Sequence, residues 1–171
     1  LWNLSGNHSA PAILAHPVPV YSLVFAPNGK SVVTGGRDGI IRVWDTTAHT
    51  VIREFPPQEG IVSGLAFSAG GQFLLSREGT PLLDGDWQGK GNKTLRLWNV
   101  EQGTVIQNLE GINGPPTAVG YSPADQSWAA ASIDDRFVTW SRTGDRLANF
   151  QRRGAGVMTA CELFPSSEFL L

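Results

Sequence analysis

A histidine, a threonine and an aspartate in the first quarter of the chain carry the groups of a catalytic triad. His16, Thr34 and Asp38 supply an imidazole, a hydroxyl and a carboxylate. Such groups act as base, nucleophile and orienting residue when they converge on a cleft. The same groups can also form a buried hydrogen-bond chain that only ties strands together. The choice between the two depends on the elements that carry these residues.

Two glycine-rich segments partly resemble ion-binding loops. Residues 84–89 begin like an EF-hand calcium loop, but Leu95 occupies the twelfth position, where that loop needs a glutamate. Residues 89–94 contain Gly, Lys and Thr without the spacing of a phosphate-binding loop. We therefore expect no metal ion and no cofactor.

Charge and cysteine content restrict the partners and the compartment. The formal net charge is −2, so we expect neither nucleic acid nor a membrane as a partner. Cys161 is the single cysteine, which excludes an intrachain disulfide and favours a reducing compartment, the cytoplasm. No apolar stretch approaches the length of a membrane span.

Tryptophans at regular intervals reveal an internal repeat. Trp2, Trp44, Trp98 and Trp140 each close a short apolar run and are followed by Asn, Asp, Asn and Ser, at spacings of 42, 54 and 42 residues. A period near 42 indicates a small supersecondary unit that must stack against copies of itself to bury its faces.

Each unit is predicted to be a meander of four antiparallel strands. In the clearest unit the strands are 20–25, 31–34, 40–44 and 51–55, with Asn28-Gly29 as a hairpin turn and Gly35-Gly36 as a break. The other units follow, with 12 extra residues between the second and third strands of the middle one. The predicted ranges are a partial unit at 1–14, whole units at 18–55, 61–109 (insertion 79–91) and 116–150, and a partial unit at 157–171.

These residues resemble the WD-repeat family of β-propellers. The resemblance covers essentially the whole chain and implies an all-β fold, a β-propeller of four-stranded antiparallel WD-repeat blades with about four repeats' worth of strands. It also implies that His16, Thr34, Asp38 and Trp44 form a structural network: the indole N–H of Trp44 donates to the hydroxyl, the hydroxyl to the imidazole, and the imidazole to the carboxylate. This interpretation is preferred to the catalytic one.

The other units depart from this residue set. Gln58 and Ile112 stand at the position of His16, and Ala130 stands at the position of Thr34. We therefore expect one complete network, with the remaining units relying more on packing.

The resemblance implies a protein–protein interaction scaffold or recognition module, expected to be part of a larger multidomain protein. Its partners are expected to be proteins or peptides, docked on the face that carries the turns between second and third strands. Candidate contact residues there are Arg37, Trp87, Lys90 and Ile133. An enzyme is not expected, because the first strands offer Glu162 as their single ionisable group.

Two alternatives stay open at this point. One is an assembly role, in which complementary half-blades at the two ends of the chain close the ring by self-association as a homo-oligomer. The half-blades could also join within one chain, or with other parts of a longer polypeptide. Closure with a longer polypeptide is the preferred interpretation, and closure between two chains is the second. The second alternative is a sensor domain linked to an enzyme.

Overall fold

The computed structural model describes residues 15–79 and 94–151, and the backbone of two short strands near the end of the chain. Within these ranges the regular structure is all β. The strands are β1 (Val20–Phe25), β2 (Ser31–Gly36), β3 (Ile41–Asp45), β4 (Val51–Glu54), β5 (Val62–Phe67), β6 (Phe73–Glu78), β7 (Leu95–Asn99), β8 (Thr104–Leu109), β9 (Pro116–Ser122), β10 (Ser127–Ser132), β11 (Arg136–Ser141), β12 (Arg146–Gln151), β13 (Glu162–Leu163) and β14 (Phe169–Leu170).

The strands form three four-stranded antiparallel sheets in chain order, here called blade 1 (β1–β4), blade 2 (β5–β8) and blade 3 (β9–β12). β13 and β14 form a two-stranded sheet, and β13 lies beside β9. The predicted all-β architecture of repeated four-stranded units is therefore confirmed. The predicted unit limits stay predictions. The partial unit 1–14 and nearly all of the insertion 79–91 lie outside the described residues.

Two bulges recur in every blade. The innermost strand skips its second residue in pairing, at Tyr21, Ser63 and Thr117. The outermost strand skips Ile52, Ile106 and Leu147 in the same way. A bulge twists an edge strand away from regular pairing, so the outer bulges protect the exposed edges of the blades from edge-to-edge aggregation.

Gly35 and Gly36 do not break the second strand, as the sequence suggested; β2 continues through both. The reason lies in the adjacent blade, because a Cβ on Gly35 would collide with Ser22 and with Val62 of blade 2. The glycine therefore allows a close approach between blades while its backbone keeps strand geometry.

The core consists of layers between consecutive blades. The face of a blade toward the next blade is here called its trailing face, and the opposite face its leading face. Between blades 1 and 2, Val33, Ile41, Val43 and Phe55 on a trailing face meet Leu74 and Trp98 on a leading face. A second layer of the same kind joins blades 2 and 3. Each blade thus buries its apolar faces against its neighbours.

Candidate functional site

The network in blade 1 begins at a buried tryptophan. The indole Nε1 of Trp44 donates to Thr34 Oγ1 at 2.8 Å, and Thr34 Oγ1 lies 3.1 Å from His16 Nε2. His16 Nδ1 lies 2.6 Å from the carbonyl oxygen of Val18. A carbonyl only accepts, so Nδ1 donates to it, and in the neutral imidazole Nε2 then accepts from the threonine hydroxyl. This hydroxyl is buried and bonded on both sides, which leaves no access for a substrate.

The predicted hydrogen bond from His16 to Asp38 is not formed, so this prediction is wrong. The Asp38 carboxylate instead accepts from Arg42, with Oδ2 2.8 Å from Nη2, and from the backbone N–H of Ile40. Burial alone would raise the pKa of Asp38, but the hydrogen bonds from Arg42 and Ile40 and the charge of Arg42 hold this pKa below its usual value. A charge-assisted pair with a guanidinium is stronger than a bond to a neutral imidazole, which explains the outcome.

Arg42 lies buried between two carboxylates. Its Nε donates to Glu54 Oε1 at 2.7 Å, in addition to the pair with Asp38. The hydrogen bond to Asp38 raises the pKa of Arg42 above its ordinary value, against the effect of burial. Blade 1 therefore contains two sets of hydrogen-bonded side chains. One is the chain Trp44–Thr34–His16, and the other is Arg42 with its two carboxylate partners.

Blade 2 contains a network that the sequence analysis missed. Trp98 Nε1 donates to Ser76 Oγ at 2.8 Å, and Ser76 Oγ donates to Gln58 Oε1 at 3.0 Å. Arg96 Nη1 donates to the same Gln58 oxygen at 3.1 Å and forms an ion pair with Glu78. The expectation of one complete network is wrong in both blades. In blade 1 the chain stops at His16, and blade 2 forms a chain through the amide oxygen of Gln58, whose Nε2 is buried without a partner among the described residues.

Blade 3 has lost the whole set. Ile112, Ala130 and Val138 replace the residues equivalent to Gln58, Ser76 and Arg96, and all three join the apolar layer against blade 2. The indole of Trp140 donates instead to the backbone carbonyl of Glu110 at 3.0 Å. The expectation that this unit relies more on packing is confirmed.

Polar groups also join consecutive blades through one repeated position. Ser22 Oγ donates to the carbonyl of Val62, the first residue of β5, at 2.9 Å. At the next junction Gly64 stands at the position of Ser22, and the paired strand carries Arg77 opposite it. Arg77 donates through Nη1 to the carbonyl of Pro116, the first residue of β9, at 2.8 Å.

Arg77 therefore replaces the serine of blade 1 by reaching across its own sheet. Its Nη2 also donates to the carbonyl of Ser63 at 2.8 Å, and burial lowers the pKa of this guanidinium. In blade 3 the two corresponding positions are Ala118 and Ala131, which offer no side-chain donor. No sequence periodicity signals this substitution, because the donor moves from one strand to its neighbour.

The turn face, defined here by the turns 37–39 and 133–135, carries two of the four predicted contact residues. Arg37 is exposed and Ile133 is half-buried. Each occupies the same place in its blade: the N–H of Arg37 donates to the carbonyl of Pro19 at 3.0 Å, and that of Ile133 donates to the carbonyl of Pro115 at 3.1 Å. Trp87 and Lys90 lie outside the described residues.

The described residues on either side of the insertion are held together firmly. Gly79 has the same position as Arg37 and Ile133, since its N–H donates to the carbonyl of Ile61 at 3.1 Å. The N–H of Glu78 donates to the carbonyl of Thr94 at 3.0 Å, and the side chain of Glu78 pairs with Arg96. The described residues that flank the insertion are therefore joined by the Glu78–Thr94 backbone bond and by the Glu78–Arg96 ion pair.

Within the described ranges, no group of three or more His, Cys, Asp or Glu side chains could hold a metal ion. The part of the chain that the structure describes contains no helix long and apolar enough to cross a membrane.

Curated relatives match the chain over most of its length but at low identity. It is 28% identical over 147 residues to Protein HIR1 of Phaeosphaeria nodorum, covering 77% of this chain and 13% of that protein. It is 31% identical over 141 residues to human Striatin, covering 73% of this chain and 16% of that protein. It is 28% identical over 95 residues to the COMPASS component SWD3 of Saccharomyces cerevisiae, covering 55% of this chain and 29% of that protein. The chain thus spans less than a third of each of these relatives.

Solved structures and a family model agree on the fold. The structure of U3-55K superposes with a TM-score of 0.72 at 14% identity, covering 85% of this chain and 43% of that one. The RRP9 WD40 repeats superpose with a TM-score of 0.68 at 14% identity, covering 80% and 40%. The family model for the WD domain, G-beta repeat, matches residues 10–45 and 49–99. This match, the repeated four-stranded sheets and the tryptophan near the end of each third strand agree with one another. The chain belongs to the WD40-repeat family.

Proposed function

We propose that the chain is a protein-interaction module that binds proteins or peptides on its turn face. The carrying observation is that Arg37 and Ile133 occupy one repeated position, fixed by the same backbone bond in each blade. Binding residues on loops of a rigid scaffold are the common arrangement for recognition. The buried networks below the turns supply the rigidity in blades 1 and 2.

The insertion is the part of the turn face that distinguishes blade 2. Of the described residues beside it, Glu78 and Arg96 form an ion pair, and Gly79 stands at the position of Arg37 and Ile133. We propose that Trp87 and Lys90 contact the partner together with Arg37. Trp and Arg are the residue types that most often dominate interface energies.

The relatives support an interaction role. One carries the name COMPASS component, and another, from Dictyostelium discoideum, the name DDB1- and CUL4-associated factor 13. We propose a non-enzymatic role in the cytoplasm, within a signalling or scaffolding assembly. The cytoplasmic part of the proposal rests on the single Cys161.

The test uses peptides selected from a displayed random library on the purified chain. Arg37→Ala and Trp87→Ala should each weaken binding of the selected peptides about tenfold or more. Lys30→Ala is the matched control, because Lys30 is exposed in the turn between first and second strands, at the other end of the blade. If Lys30→Ala weakens binding while Arg37→Ala and Trp87→Ala do not, the proposal fails.

A further inference from the structure

Gln58 forms hydrogen bonds with the blades on both sides of it. It lies between β4 and β5 and is 7% exposed. Its backbone N–H donates to the carbonyl of Gly39, in the turn of blade 1 that carries Arg37, at 3.0 Å. Its side-chain Oε1 accepts from Ser76 and Arg96 of blade 2, at 3.0 Å and 3.1 Å. One buried residue therefore joins the turn face of blade 1 to the polar network of blade 2.

The turn of blade 1 rests directly on the segment that contains Gln58. Gly39 has a φ of +76°, and a Cβ there would collide with the carbonyl oxygen of Gln58 and press on that of Gly60. Glycine allows both the positive φ and this close approach. At the start of the turn, the N–H of Arg37 donates to the carbonyl of Pro19 at 3.0 Å. The position of Arg37 is therefore set by one contact within its own blade and by a second contact with residue 58.

On the side of blade 2, the network that includes Gln58 also reaches the turn face. Arg96, which donates to Gln58, forms an ion pair with the buried Glu78 at the end of β6. Gly79 follows Glu78 directly and stands at the position that Arg37 has in blade 1. Gln58 therefore connects the turn of Arg37 to the end of β6, and it fixes the turn positions of two adjacent blades relative to each other.

This connection has an energetic cost that packing alone does not explain. Within the described ranges, Gln58 Nε2 is buried without a hydrogen-bond partner, which an apolar side chain at this position would avoid. The next junction contains such a side chain, because Ile112 stands at the position of Gln58 and packs in the apolar layer between blades 2 and 3. The amide at position 58 therefore indicates a role beyond filling the junction.

We propose that Gln58 is a positioning residue for recognition. It holds Arg37 in a fixed place against blade 2, so that a partner meets the turns of both blades as one surface. The inference rests on the proposed function, because it requires a partner that contacts Arg37. Buried side chains that lock the contact residues are a general requirement of precise binding sites. Since Gln58 is itself buried, its effect on binding should act through Arg37 and not through a contact of its own.

The test measures the affinity of the library-selected peptides for variants at position 58. Gln58→Met keeps the length of the side chain but removes the acceptor for Ser76 and Arg96, and it should weaken binding about tenfold. In the Gln58→Met background, Arg37→Ala should cost less than about threefold, because Arg37 is then no longer held in place. Gln58→Glu keeps an acceptor oxygen at the same distance along the side chain and should bind as the unaltered chain does.

Two controls separate positioning from a general loss of stability. Val33→Ala removes buried volume from the layer between blades 1 and 2, where Val33 is 0% exposed, and should lower stability without changing the affinity. Ile133→Ala changes the turn of blade 3 at the position equivalent to Arg37, so its effect should multiply with that of Gln58→Met. Circular dichroism confirms that each variant folds. Gln58→Asn, whose amide is one methylene shorter, replaces Gln58→Met if that variant does not fold.

Several results would overturn the inference and leave the proposed function in place. The first is a Gln58→Met variant that binds as the unaltered chain does, while Arg37→Ala still weakens binding. The second is a loss in Gln58→Met that multiplies with the loss in Arg37→Ala. The third is a loss of the same size in Gln58→Glu or in Val33→Ala. If Arg37→Ala itself leaves binding unchanged, the proposed contact at Arg37 has failed, and the inference fails with it.

Discussion

Blades 2 and 3 bury the same tryptophan in opposite ways. Trp98 donates to a chain of side chains that ends in the Arg96–Glu78 ion pair, whereas Trp140 donates to a backbone carbonyl among apolar side chains. The tryptophan stays, and its four polar partners in blade 2 are all replaced in blade 3. The comparison indicates that the polar partners of the tryptophan are kept together or lost together, because removing one leaves the others buried and unpaired. The network of blade 2 is still not fully satisfied, since Gln58 Nε2 is buried without a hydrogen-bond partner in the part of the chain that the structure describes.

Removing one member of the network in blade 2 should therefore have the largest effect. Arg96→Val takes the guanidinium away from Glu78, which is 0% exposed, and should lower the free energy of unfolding by about 3–5 kcal/mol. Urea denaturation followed by tryptophan fluorescence measures this. Lys30→Val, which removes an exposed cation, is the control and should change little.

Blade 3 indicates a second substitution that should restore the stability lost in Arg96→Val. Adding Glu78→Ser to Arg96→Val gives blade 2 the residue types that blade 3 has at these positions, Ser132 and Val138. The double variant should recover most of the lost stability. A single Arg96→Val variant as stable as the unaltered chain would show that the ion pair does not stabilise the blade.

The two tryptophans should respond differently to the loss of the indole N–H. Trp98→Phe removes a donor from the buried Ser76 hydroxyl, while Trp140→Phe frees the carbonyl of Glu110, an exposed residue that water can reach. Both changes remove the same ring volume. The loss for Trp98→Phe should exceed that for Trp140→Phe by about 1 kcal/mol in urea denaturation; equal losses would mean that the side-chain network adds nothing.

The junctions between blades differ in the same way, with a smaller effect. Ser22→Ala leaves the carbonyl of Val62 without its cross-blade donor and should cost about 1 kcal/mol of unfolding free energy. Thr104→Ala removes an exposed hydroxyl that bonds only within its turn and serves as the control. If both variants lose equally little, the cross-blade bond is not a source of stability.

The strands and their repeat were predictable because their signals are local. The tryptophan spacing and the turn Asn28-Gly29 mark the units, and the first strand 20–25 agrees with β1. The extension of β2 through Gly35 was not predictable in the same way. A glycine that ends a strand and a glycine that admits an adjacent blade look alike in sequence, and only the position of Val62 separates them.

The networks were predictable only in part, for a related reason. The pairing of Trp44 with Thr34 follows from residue types at fixed positions. The sequence offers Asp38 both His16 and Arg42 as donors, and only the folded structure shows that Arg42 bonds Asp38 while His16 bonds the carbonyl of Val18. Gln58 did carry a signal, because it stands 42 residues after His16, as Ser76 does after Thr34, and both can form hydrogen bonds. The turn-face contacts remain predictions.

The smallest expected effect is the pH dependence of the Asp38–Arg42 pair in blade 1. The pKa of Asp38 is lower in the folded chain than in the unfolded chain, where it is about 4. Its pair with Arg42 therefore stabilises the fold fully at pH values above the pKa of the unfolded chain. This stability is lost as the pH falls through the lower, folded pKa. Asp38→Asn should therefore lower the Tm at neutral pH, by the equivalent of at most about 1 kcal/mol, and the gap to the unaltered chain should narrow below about pH 4. In blade 3 Val138 stands at the position of Arg42, and the aspartate equivalent to Asp38, Asp134, pairs with Arg136 instead. A gap that stays constant down to acid pH would mean that Asp38 stabilises its turn through the bond to Ile40, and not through its charge.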